Sequence, residues 1–200
     1  VSDQIYGGAS AAHLLGTDYM GRDMLSRILT GARYTVGLAL VAALLSTLVG
    51  AGFGMLTVLL PHWLEESIRR VFDTLISIPS KMMALVMVSA FGTSIPLLIL
   101  AAVLSYAPGS FRISHSLAKN LATLEYVQVA STRGEGRLYI AAVEIFPNMI
   151  QPVLTDMGMR FVFIVLLLSG MSFLGLGVQP PVADLGSLVR ENIGGLSQGA

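Results

Sequence analysis

Apolar residues fall into four long intervals, and the polar residues collect between them. From Tyr34 to Leu60 there is no charged side chain, a run well beyond the roughly 20 residues needed to cross a bilayer as helix. A second apolar interval, 74–91, is interrupted at Pro79 and carries Lys81. After the uncharged turn Phe91-Gly92-Thr93-Ser94 comes a third, 95–111, with a bend expected near Pro108-Gly109. The fourth, 141–175, is long enough to project beyond a membrane. Broken spans are tolerated mainly where they face protein or a water-filled route, so the two prolines are candidate markers of a pathway or of packing kinks. The pattern predicts an all-α polytopic transmembrane bundle.

Within the first interval Ala42, Ser46, Gly50 and Gly54 recur at every fourth position. Close helix–helix packing uses such a stripe and lipid contact does not, so this face is expected to meet a neighbouring helix. Tyr34 and Trp63 stand near the two ends, where amphipathic rings prefer the interface.

The polar intervals predict their own elements. In Leu15–Arg33, Asp18 is expected to cap a short helix lying on the membrane surface, with Met20, Met24, Leu25, Ile28 and Leu29 on one side and Arg22, Asp23, Ser26 and Arg27 on the other. Residues 61–73 form a short amphipathic connection. The stretch Glu125–Asn148, EYVQVASTRGEGRLYIAAVEIFPN, reads as two short amphipathic helices hinged at Gly134 and ending at Pro147. Tyr126, Val127, Val129 and Ala130 are expected on an apolar face, and Gln128, Ser131, Thr132 and Arg133 on a polar one. An ordinary surface hairpin would share that pattern.

Composition agrees with a membrane protein: 54% hydrophobic and 12% charged residues, against about a quarter charged in an ordinary soluble domain. The net charge of zero argues against nucleic acid as a partner, and the absence of cysteine rules out disulfides and thiolate chemistry. If each span crosses once, Arg69, Arg70, Arg112, Lys119, Arg133 and Arg137 lie on one side, and Arg22, Arg27, Arg33 and Arg190 on the other. That bias of six against four puts the Glu125–Asn148 loop in the cytoplasm, with 1–33 and 176–200 outside.

Candidate chemistry is sparse. There is no GxxxxGK[ST] loop to cradle ATP phosphates, and Ser172 lacks the closing glycine of a nucleophile elbow. His13, His62 and His115 are too dispersed to suggest a metal cluster. Asp156 and Arg160, four residues apart in the fourth span, are the intramembrane ionisable pair, read as lining a translocation path or as a structural pair. No catalytic constellation or bound cofactor is expected.

Three blocks together resemble the inner-membrane permease subunits of bacterial ABC importers of the dipeptide/oligopeptide/nickel class, specifically the second, C-type permease. LGTDYMGRDMLSR, Leu15–Arg27, is similar to the family's LGTDxxGRDxxSR, and SFLGLGVQPP, Ser172–Pro181, is close to the family string. Between them Glu125–Asn148 resembles the EAA-type loop (EAA, three residues, Gly, nine residues, I-x-L-P). Ala130, Gly134 and Pro147 fall in place; Gln128 stands for the acid, Val129 for the first Ala, Glu144 for the Ile and Phe146 for the Leu.

The resemblance implies a pore-forming subunit in the bacterial inner membrane. It would work with a second permease subunit, two ATP-binding subunits that hold the ATP and Mg, and an external substrate-binding protein. Residues 120–140, with Tyr126, Gln128, Val129, Ala130, Arg133 and Gly134, would dock on an ATPase and couple hydrolysis to alternating access. Peptides, or related solutes such as nickel complexes, would be the cargo. Family members have six spans, so four are expected here, with one more before and one after. An ion-coupled secondary transporter and a non-transporting membrane scaffold are the alternatives.

Overall fold

The computed structural model describes residues 5–180 and 182–197. Among them the elements are helical, apart from one isolated bridge between Thr17 and Asp23. Helix α1 spans Met24–Thr57, α2 His62–Ile76, α3 Ser80–Phe91 and α4 Ile95–Ala122. A short α5, Glu125–Thr132, follows. Then α6 (Arg137–Tyr139), a π-helical turn (Ile140–Ile145) and α7 (Phe146–Phe173) run on as one 37-residue rod. The last helix, α8, is Leu185–Ser197.

Three of these rods are long and apolar enough to cross a membrane: α1, α4 and α6–α7. The α2–α3 pair makes a fourth if counted as one broken span, bent by 82°. The break lies where Pro79, without an N–H to donate, precedes α3.

Contacts along α4 give the directions. Glu65 reaches His115 and Lys119, Phe72 stacks on Phe111, and the Ser80 carbonyl accepts from Ser105, so α2–α3 descends as α4 ascends. A Cβ on Gly50 would strike the Ala107 carbonyl and Ser110, and one on Gly54 would strike Ser114 and the His115 amide. Helices α1 and α4 therefore run parallel with their backbones nearly touching. All four stripe residues, Ala42, Ser46, Gly50 and Gly54, are buried. Small side chains let the helices approach closely enough for dispersion contacts to hold them, in a solvent where apolar burial adds little.

Two apolar clusters result. One, near the α7 C-terminus, is built on Ala39, Ala42, Ala84, Leu98, Ala101 and Ile164. The other, at the α5 end, is built on Ala118, Val127, Ala130, Ile140, Ile145 and Met149.

Several boundaries differ from expectation, each for a local reason. The first helix begins at Met24 and runs unbroken through Arg33, so no separate surface helix precedes the span. Its N-cap is Asp23, whose Oδ2 accepts from the Ser26 amide at 2.8 Å, and not Asp18. Gly16 and Gly21, at φ +75° and +70°, hold the preceding residues in turns. Helix α4 continues past 111 to Ala122 because its polar residues have partners: His115 and Lys119 share Glu65. The second helix after the Gly134 bend does not stop at Pro147, which lies in the first turn of α7 directly after the π-helical turn, so the rod runs on past it.

Candidate functional site

Helix α5 is only eight residues long, too short to be stable alone, and is held by what it packs against. Val127 and Ala130, one turn apart, are buried against Ala118, Ile140, Ile145 and Met149. The single apolar face expected from the sequence is in fact two. Tyr126 and Val129 form a second strip pointing outward, 40% and 47% exposed. Gln128, Ser131, Thr132 and Arg133 are exposed beside it.

The ends of α5 are fixed by hydrogen bonds. Arg133 is the C-cap and Gly134, at φ +85°, turns the chain; the Glu135 amide donates to the Ala130 carbonyl and the Gly134 amide to Ser131. This is the six-to-one closure that needs a left-handed residue, which glycine adopts without strain. Gln128 Nε2 donates to the Thr123 carbonyl at the other end, 3.1 Å away. Asn148, on the α7 rod, donates to the Tyr126 hydroxyl at 3.3 Å. Arg137 donates to the Leu59 carbonyl just past the end of α1, where helix dipoles favour a cation. The elbow is thus stiff within itself and tied to α1, α4 and α7, yet presents one mixed face to solvent.

The Asp156–Arg160 pair lies on α7 with both side chains about nine-tenths covered, at 11% and 10% exposure. The bond is bidentate: Nε to Oδ2 at 2.6 Å and Nη2 to Oδ1 at 2.9 Å. The remaining Nη1 donates to the Tyr106 carbonyl on α4 at 2.8 Å. Gly109 makes room for it, since a Cβ there would come within 2.9 Å of Nη1. The pair is therefore turned into the bundle, and it fastens α7 to α4 just before Pro108.

At the opposite end from α5 is a network that the sequence reading missed. Asp18 is fully buried in the turn before α1. Its Oδ1 accepts from the Met20 and Arg22 amides, and its Oδ2 from Arg22 Nε and Arg27 Nη1, all at 2.7–2.9 Å. The same Arg27 nitrogen reaches Glu191 on α8 at 2.7 Å. Burial pushes the Asp18 carboxyl up, but these four donors more than offset it and hold it below the usual carboxylate range. At the start of α8 Asp184, also buried, accepts from Ser172 on α7 and from the Ser187 amide, and the Leu185 amide donates to Thr35 on α1. Thus LGTDYMGRDMLSR and the described part of the second block, 172–180, which are 145 residues apart at their nearest (Arg27 to Ser172), belong to one collar. The only sequence signal for it is the pairing of those two blocks. Among the described residues no group of three metal-ligating side chains occurs.

Comparison with known proteins fits this architecture. The chain is similar to the dipeptide transport system permease protein DppC of Haemophilus influenzae, 32% identical over 186 residues, covering 93% of this chain and 63% of that protein. It is similar also to the glutathione transport system permease protein GsiD of Pectobacterium atrosepticum, 29% identical over 189 residues, with 94% and 63% covered. A di/tripeptide permease protein of Pseudomonas aeruginosa is 30% identical over 182 residues, with 91% and 60% covered. The chain therefore spans 60–63% of the length of these relatives. The family profile described as "binding-protein-dependent transport system inner membrane component" matches residues 50–200. An all-helical polytopic bundle carrying that match belongs to this family of inner-membrane transport components.

Proposed function

We propose that the chain is the pore-forming core of one permease subunit in an ATP-driven importer of small peptides, and that α5 is its coupling helix. The observation that carries this reading is the division of α5 into two strips. Val127 and Ala130 anchor it to the inner ends of three spans, while Tyr126 and Val129, flanked by Gln128, Thr132 and Arg133, stay outside. A helix that only packed would have no reason to expose an apolar strip beside a polar one. One that must seat in a groove on a second protein needs that strip. The α5 end carries Lys119, Arg133 and Arg137, so we take it as cytoplasmic, where a partner ATPase would be reached.

The partners in this reading are a second permease subunit, two ATP-binding subunits and an external binding protein. ATP and Mg are held by the ATPases, and this chain hydrolyses nothing. When the ATPases close, each carries its docked α5 with it; the C-terminal closure at Gly134 and the rod from Arg137 to Phe173 pass the movement to the bundle. The relatives named for dipeptides, di/tripeptides and glutathione support peptides as the cargo class. The Asp156–Arg160 bond, with both carboxylate oxygens occupied, suits a strut between α7 and α4 better than an ion carrier, which weighs against an ion-coupled transporter.

Gly134→Pro tests the reading, because it removes the Gly134 amide bond to Ser131 and forbids the positive φ. ATP-dependent uptake by the full complex in vesicles is expected to be abolished while the subunit still inserts. Normal uptake would overturn the coupling assignment.

A further inference from the structure

Lys81 is the cation in the first turn of α3. Ten residues separate it from Phe91 at the far end of α3, about 15 Å of helical rise, or half of a hydrocarbon core about 30 Å thick. Its neighbour Ser80 accepts from Ser105, one residue before the Tyr106 whose carbonyl takes Arg160, so Lys81 stands at the level of the Asp156–Arg160 bond. Among the described residues it has no hydrogen bond or ion pair, and Asp156, the carboxylate at that level, is fully engaged by Arg160.

The helix face matters more than the depth. At about 100° per residue, Lys81 falls within about 20° of Val88 and about 60° of Ala84, but about 100° from Met82 and about 140° from Val86. Val88 and Ala84 are buried against the bundle, whereas Met82 and Val86 are 63% and 65% exposed. Lys81 therefore shares the inward face of α3 and not the lipid-facing one. It is nevertheless exposed, in the first turn of α3 just after the 82° bend at Ser77-Ile78-Pro79. An ammonium on an inward face at mid-depth needs water or an anion.

We propose that Lys81 lines the translocation route and takes the terminal carboxylate of the transported peptide. This rests on the peptide-import reading for the nature of the anion, but not for the location. A lipid phosphate is the other anion a membrane offers, and it lies at the bilayer surface, about 15 Å away. In passing, a carboxylate would replace water around the ammonium with one charge-assisted hydrogen bond, strong enough to select and weak enough to release.

Two arms test it, both on the full-length subunit in its assembled complex. In an otherwise cysteine-free background, Lys81→Cys and Val86→Cys are labelled with a membrane-impermeant sulfonated thiol reagent. Lys81→Cys is expected to react at least about tenfold faster; equal inertness would remove Lys81 from any aqueous route. In vesicles, uptake of dialanine and of dialanine amide is then compared. Lys81→Met is expected to cut dialanine uptake about tenfold and leave the amide unchanged, with Lys81→Arg close to wild type. Equal loss of both, or loss of neither, overturns the carboxylate role. A wild-type complex that imports no dialanine overturns the peptide reading and with it the carboxylate partner, while the labelling arm still decides where Lys81 lies.

Discussion

The collar at one end of the bundle and helix α5 at the other are seated by different physics. At the collar, Asp18, Arg22, Arg27 and Glu191 join the loop before α1 to α8 through ionic hydrogen bonds, and Asp184 adds Ser172 and Ser187. At the elbow, α5 is seated by the apolar side chains Val127 and Ala130, and its charged residues Glu125 and Arg133 point away. Ionic bonds are directional and fix one geometry. An apolar seat holds a short helix firmly but leaves its outer face free for a second surface. A collar that locks and an elbow that offers a handle are what a lever needs at its fixed and driven ends.

The comparison breaks most visibly at Asp18. Asp18→Asn keeps the Oδ1 bonds to the Met20 and Arg22 amides, but sets an NH2 against Arg22 Nε and Arg27 Nη1, donor facing donor. A loss of about 3 kcal/mol is expected, read as a lower thermal midpoint in detergent with faster hydrogen exchange over 16–23 and little change at α5.

Acid should act on the same group more gradually. The folded pKa of Asp18 lies below its unfolded value, so its contribution is present above the ordinary carboxylate range and is lost as pH falls through the lowered folded value. Limited proteolysis of the collar should be flat from pH 7 to about 4 and rise only below that. A rise beginning near pH 6 would implicate another group.

The elbow should respond to volume instead. Ala130 is 4% exposed, and Ala130→Leu inserts three carbons beside Ala118 and Met149. About 2 kcal/mol of local destabilisation is expected, seen as faster exchange across α5 with the collar unchanged. The smallest effect is the most telling one. Arg133→Ala should leave the stability of the subunit alone within about 0.5 kcal/mol, because the side chain is exposed and makes no bond among the described residues. It should weaken assembly with the ATPase. A stability loss above 1 kcal/mol would mean that Arg133 serves this chain and not a partner.

Much of this was legible in the sequence. The uncharged run from Tyr34 to Leu60, the stripe ending at Gly50 and Gly54, the break at Pro79 and the turn at Gly134 are local patterns, and each lies where the structure has the corresponding feature. What was not legible depends on distant residues. Arg27 resembles an ordinary cation on a helix face until Glu191, 164 residues further on, accepts from its Nη1. Helix α4 continues to Ala122 because Glu65 on another helix receives His115 and Lys119. The α5 sequence has apolar residues at 126, 127, 129 and 130; only the seat formed by α4 and the α7 rod decides which pair goes in.

The central claim is that the outer face of α5 seats on a cytoplasmic ATPase and moves with it. Thr132 is exposed on that face, and this stretch of the chain holds no cysteine. Thr132→Cys, co-expressed with the partner ATPase carrying single cysteines around its surface groove, should form a disulfide whose yield changes when ATP is added. If Thr132→Cys gives no adduct and is instead labelled from outside the cell, the α5 end is external and the coupling account is contradicted.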